Sequence, residues 1–205
     1  AKSRMLPQRL VYISTTGVYG NCHGEEVFET RPLHPETARA RRRADAERRL
    51  RAWGCRNRVC VSILRVPGIY AENRLPLDRL KEGTPALRRE DDPYTNHIHA
   101  DDLARLVAVA LARGQPGRIY NAADESRLTM GDYFDLVADA FGQPRPSRIA
   151  WAEAKQSLPE TLLSFMRESR RLSNRRMRHE LGVKLIYYTV AEGVAAARQR
   201  LCKTG

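Results

Sequence analysis

Two apolar runs, Arg9-Leu-Val-Tyr-Ile-Ser14 and Val59-Cys-Val-Ser-Ile-Leu64, flank residues 36 to 53, which contain no interior glycine or proline. Runs of this length, rich in β-branched and aromatic residues, read as buried strands. The Ala, Arg, Glu and Leu between them read as a helix, which Gly54 is expected to end. Strand, helix and strand at this spacing make one parallel crossover unit, right-handed by default. That unit commits the chain to an α/β fold.

The second half carries helix punctuation. Asp101 is expected to cap a helix that runs to Arg113 and stops at Gly114, followed by a short strand at Arg118-Ile-Tyr-Asn121. Thr129 with Asp132 and Thr189 with Glu192 are capping-box spacings, and Ser173 is expected to cap a helix that ends at Leu181 before Gly182. No repeat or low-complexity linker interrupts the 205 residues.

Composition narrows the partners. At 42% apolar and 7% aromatic, the chain can bury a core. No apolar run is long enough for a membrane span, and the first ten residues hold no signal-peptide stretch. The four cysteines, Cys22, Cys55, Cys60 and Cys202, form no CxxC pair, which fits a reduced, cytoplasmic protein. The net charge of +12 comes almost wholly from arginine, with five lysines in all. In the stretch from 39 to 58, pairs four apart (Arg43 with Glu47, Asp45 with Arg49, Glu47 with Arg51) read as a solvated helix face. Without interleaved stacking aromatics, nucleic acid is not the expected partner.

Several motifs in fixed order carry a family resemblance. Ile13-Ser-Thr-Thr-Gly-Val-Tyr-Gly20, Leu64-Arg-Val-Pro-Gly-Ile-Tyr70, His99-Ala-Asp-Asp-Leu-Ala104, Gly117-Arg-Ile-Tyr-Asn-Ala-Ala-Asp124 and Arg171-Leu-Ser-Asn174 through Gly182 resemble successive segments of extended short-chain dehydrogenases, the nicotinamide-dependent epimerase/dehydratase family. The resemblance implies a partial Rossmann-like parallel sheet with a smaller, mostly helical C-terminal substrate lobe. Residues 1–70 and 94–125 would form the nucleotide-binding part, and 71–93 with 126–205 the lobe. It further implies NAD or NADP as cofactor and a small-molecule substrate, with a nucleotide sugar as one candidate. Thr15 takes the position of the family's catalytic hydroxyl beside the substrate, Pro67 that of the backbone beside the nicotinamide carboxamide, and Gly68 and His97 fall to the substrate side.

Two departures bear on chemistry. No glycine-rich turn of the kind that cradles a pyrophosphate occurs in the sequence. The resemblance therefore implies that the chain is the C-terminal part of such a protein, completed by an N-terminal segment or a homo-oligomeric partner. The family's Tyr-x-x-x-Lys pair falls at Arg39 and Arg43, with no tyrosine between Gly20 and Tyr70. This pattern resembles an atypical branch of the family. Arginine stays protonated at any working pH and cannot shuttle a proton, but it grips anions. The resemblance thus places Arg43 toward the cofactor and Arg39 toward the substrate.

Each residue also has a plainer reading. Thr15 can serve as a turn hydroxyl, and Arg39 and Arg43 as exposed helix charges. His97 and His99 lie two apart with no third ligand spaced nearby, so no metal site is expected. A non-catalytic remnant or ligand-binding protein of the same fold is the alternative to an enzyme, and a basic nucleic-acid-associated protein is the weaker one.

Overall fold

The computed structural model describes residues 5–204, with side chains to Leu201; Ala1 to Arg4, Gly205 and the Cys202 side chain lie outside the described residues. Strand β1 (Arg9–Thr15) is followed by the two-residue β2 (Glu26–Val27), helix α1 (Ala38–Asn57), β3 (Cys60–Val66) and β4 (Gly68–Tyr70). Next come α2 (Leu77–Lys81), β5 (Ala86–Leu87), β6 (His97–His99), α3 (Ala100–Arg113) and β7 (Ile119–Asn121). The chain continues through α4 (Met130–Phe141), β8 (Arg148–Ile149), α5 (Trp151–Ser157), α6 (Glu160–Met166), β9 (Arg171–Leu172), α7 (Arg175–Leu181) and α8 (Val190–Thr204).

The main sheet is parallel in the order β1-β3-β7, with Arg9 opposite Cys60 and Thr15 opposite Val66. The expected α/β class and parallel crossover are therefore present. Three two-stranded parallel pairs accompany the main sheet: β2 with β9, β4 with β6, and β5 with β8.

The buried stripe of α1 explains how so basic a helix packs on a sheet. Ala40, Glu47 and Gly54, seven apart, face inward while the arginines between them point outward. Gly54 does not end the helix as expected. A Cβ there would lie 2.4 Å from Val61 Cγ2 and 2.9 Å from the Val59 carbonyl, so glycine lets helix and strand approach closely. The helix runs on to Asn57, and Arg58 caps it in the left-handed region at φ 55°. On the opposite face, Leu103, Leu106 and Ala110 of α3 join Leu64, Val66 and Ile98 in the main apolar cluster. Losing one such leucine side chain typically costs about 2–5 kcal/mol.

Two N-caps differ in detail from the expectation. His99, not Asp101, caps α3, its Nδ1 accepting from the Asp101 amide at 3.2 Å. Asp102, 1% exposed, instead accepts from the Ile186 and Tyr187 amides and pins the approach to α8. Asn174 stands at the N-cap of α7, while Ser173 continues the β2–β9 pairing through its amide. The boxes at Thr129 and Thr189 form as expected, each hydroxyl accepting from the amide three residues on. Among the described residues no helix is long and apolar enough to cross a membrane.

Candidate functional site

At the C-terminal ends of β1 and β3, where parallel sheets place their ligands, lies a cavity of about 350 Å³. The chain leaves β1 through Thr15, whose side chain accepts from the Gly17 amide at 3.3 Å and starts a short 3-10 turn. Thr15 is thus a turn hydroxyl that also lines the cavity, its own hydrogen left to donate. The turn closes at Gly20, where φ is 69° and a Cβ would sit 2.2 Å from the His34 carbonyl oxygen. Only glycine meets both demands.

Helix α1 forms one wall. Arg39 and Arg43, one turn apart, both line the cavity with Thr15, Pro67 and Gly68. Arg43 donates to the Tyr12 hydroxyl at 3.0 Å and the Ile13 carbonyl at 3.2 Å. The Arg39 guanidinium lies 5.3 Å from the ring centre of Phe165, at the end of α6 across the mouth. Gly68 is squeezed between strands: a Cβ would meet His97 Cδ2 at 3.2 Å and the Asn96 carbonyl at 3.3 Å.

His97 is not brought to this cavity. It is 5% exposed, packed at a tilt against Tyr133 with ring centres 4.2 Å apart, and set edge-on to Tyr70. Burial lowers its pKa to about 4, so it stays neutral. Among the described residues no three potential ligands gather for a metal.

The opposite wall was not legible in the sequence. It is built by the β2–β9 pairing and the amides of Cys22 and Gly24, which donate to the Ser169 carbonyl and dock residues 168–172 onto the turn. Glu168 and Arg170 line the cavity there as an ion pair at 2.7 Å, about nine-tenths buried. Arg170 also donates to the Gly20 carbonyl at 2.7 Å. The cavity therefore presents three guanidinium groups (Arg39, Arg43, Arg170) against one carboxylate, a net positive field suited to an anion. Tyr19 does not contribute a hydroxyl. It is 1% exposed and donates instead to Asn121 at 2.7 Å, with Arg65 over its ring.

Beneath the site, the Glu47 expected on the solvated helix face is 2% exposed and paired with Arg65 of β3. Asp45 and Arg49 do form the expected surface pair at 2.6 Å.

Comparison with known proteins supports the architecture. The model of the NAD dependent epimerase/dehydratase family matches residues 1–123. The chain is 25% identical over 131 residues to dTDP-D-glucose 4,6-dehydratase of Mus musculus, a match covering 60% of the chain and 37% of that protein. Among solved structures, a functionally unknown conserved protein from Silicibacter pomeroyi superposes with TM-score 0.85 at 31% identity, covering 95% of this chain and 66% of that one. A dTDP-glucose 4,6-dehydratase from Streptomyces venezuelae, solved with NAD bound, shares the fold with TM-score 0.74 at 23% identity, over 95% of this chain and 60% of that one. The chain thus spans just over a third of the first curated relative and under two thirds of the first solved one.

Proposed function

Since the chain belongs to the NAD dependent epimerase/dehydratase family, we propose that its cavity binds a small anionic metabolite, a nucleotide sugar on the precedent of its relatives, without tyrosine-dependent proton transfer. One observation carries this reading. Arg39 and Arg43, which the resemblance puts at the positions of the family's tyrosine and lysine, line the same cavity as Thr15, Pro67 and Gly68. Two guanidinium groups one helical turn apart hold an anion and accept no proton.

The residues fit one end of NAD or NADP only. Thr15, Pro67 and Arg43 suit the nicotinamide end, as the family resemblance implies, and a bound nicotinamide would supply hydride chemistry. No described glycine-rich turn offers a pyrophosphate its amides. The same two arginines favour a second reading, a ligand-binding protein of this fold that performs no hydride transfer. Completion of the sheet by a further segment or a second copy belongs to the proposal as well.

Calorimetry on these 205 residues tests it. UDP-glucose and dTDP-glucose should bind, and Arg39→Ala/Arg43→Ala should weaken them about tenfold or more, since hydrogen bonds to charged groups are worth about 1.5–3 kcal/mol. The same variant should lose about 1 kcal/mol of stability or less, because both side chains are exposed. NAD and NADP should bind these residues more weakly than micromolar. Unchanged binding in the double variant, or equal binding of uncharged glucose, would refute the reading.

A further inference from the structure

We propose that Glu168 is a specificity-determining residue that reads a hydroxyl group on the anionic ligand; the inference rests on the cavity reading above. Among the described residues, Glu168 is the cavity's one carboxylate. Arg170 balances its charge, but the carboxylate keeps an unused acceptor oxygen in a site otherwise lined by guanidinium donors, and that acceptor calls for a counterpart on the ligand. A carboxylate only accepts hydrogen bonds, so that counterpart is a donor.

The geometry gives Glu168 both a fixed place and a free oxygen. Its Oε2 accepts from Arg170 Nη2 at 2.7 Å, and Arg170 is itself held by the Gly20 carbonyl at 2.7 Å. The other oxygen, Oε1, accepts from no described residue. The side chain is 10% exposed, so a bond formed there is sheltered from water. It faces the strand end across a glycine. A Cβ at Gly17 would lie 3.8 Å from Glu168 Oε2 and 3.7 Å from Thr15 Oγ1. The bare backbone at Gly17 thus leaves space within reach of both the Thr15 hydroxyl and the Glu168 carboxylate.

Thr15 Oγ1 already accepts from the Gly17 amide, which leaves its hydrogen to donate. The pair therefore offers one donor and one strong acceptor, the complement of a sugar hydroxyl, which both gives and takes a hydrogen bond. With Arg39 and Arg43 on the anionic end, the ligand class is a hydroxyl-bearing sugar phosphate ester and not a simple anion.

The test uses two probes, glucose 1-phosphate and inorganic phosphate, titrated into wild type, Glu168→Gln and Glu168→Asp. Glutamine keeps an oxygen for Arg170 but loses the charge, so glucose 1-phosphate should bind about tenfold weaker, as expected for a charge-assisted hydrogen bond. Inorganic phosphate should bind Glu168→Gln as tightly as wild type or more tightly, because a repelling charge is gone. Aspartate keeps the charge but withdraws it, so it should weaken glucose 1-phosphate and leave phosphate unchanged. Equal losses for both probes, or no loss for either, would overturn the inference while Arg39- and Arg43-dependent binding stood. Should Glu168→Gln give no cooperative melt, Glu168→Asp decides by the same comparison. If wild type binds neither probe through the arginines, the reading of the cavity falls, and this inference with it.

Discussion

The carboxylate of Glu47 on α1 lies 2.7 Å from the guanidinium of Arg65 on β3, with both side chains 3% exposed. Ser14 adds a hydrogen bond to the same carboxylate at 2.5 Å, and Arg65 also donates to the Glu29 carbonyl. Glu47 is one turn beyond Arg43, so this buried pair sets the rotation of α1 and with it the face that lines the cavity. Removing either partner strands a charge in the core. Glu47→Ala or Arg65→Ala should each cost about 3–5 kcal/mol in urea denaturation, while Glu47→Leu/Arg65→Met should recover most of the loss. A single-variant cost below about 1 kcal/mol would show that water reaches the pair.

Two buried groups should bend the pH profile of stability in opposite directions. Burial raises the Asp124 carboxyl from 3.8 to about 7, helped by the nearby Asp102 and Glu125. Between those values the folded chain keeps a proton that the unfolded chain gives up. The Asp124 contribution is therefore full below pH 3.8 and is lost as pH rises through 7. His97 behaves inversely, since burial lowers it from 6.5 to about 4. Its contribution is full above pH 6.5 and is lost as pH falls through 4. A tenfold change in proton affinity between the folded and unfolded chain is worth about 1.4 kcal/mol, so the two effects are of a few kcal/mol and partly cancel. Asp124→Asn should leave a stability that climbs from pH 4 to 6.5, and His97→Phe one that declines from pH 4 to 7. Denaturation curves across that range decide; a slope in Asp124→Asn identical to wild type would count against the assignment.

Strand β1 pairs with β3 on one side only among the described strands, and Ile13 is 44% exposed. Arg43 covers the Ile13 carbonyl, but the rest of the edge offers its backbone groups to another strand. These 205 residues in isolation should therefore self-associate, and light scattering should show species heavier than the monomer. A charged substitution on the edge, Ile13→Lys, should reduce that association with little loss of stability. A monodisperse monomer of the unsubstituted chain would refute the expectation.

The α/β class, the parallel crossover and the strand ends near Thr15 and Pro67 were all set by local sequence. Apolar runs, a proline-free helix between them and polar strand ends act over a few residues, so period and punctuation reveal them. Spacing also put Arg39 and Arg43 on one helical face. The tertiary structure decided matters that depend on residues distant in sequence. Glu47 reads as a solvated charge because its i−4 and i+4 neighbours are arginines; its true partner, Arg65, is 18 positions away. Gly54 reads locally as a helix stop, but Val61 fills the space where a side chain would go. His97 fell to the substrate side by resemblance, yet the pleat turns it into the aromatic layer with Tyr133. Glu168 and Arg170 carried no local signal at all. They reach the cavity because Cys22 and Gly24 bind the Ser169 carbonyl across nearly 150 residues, and no periodicity encodes a contact of that range.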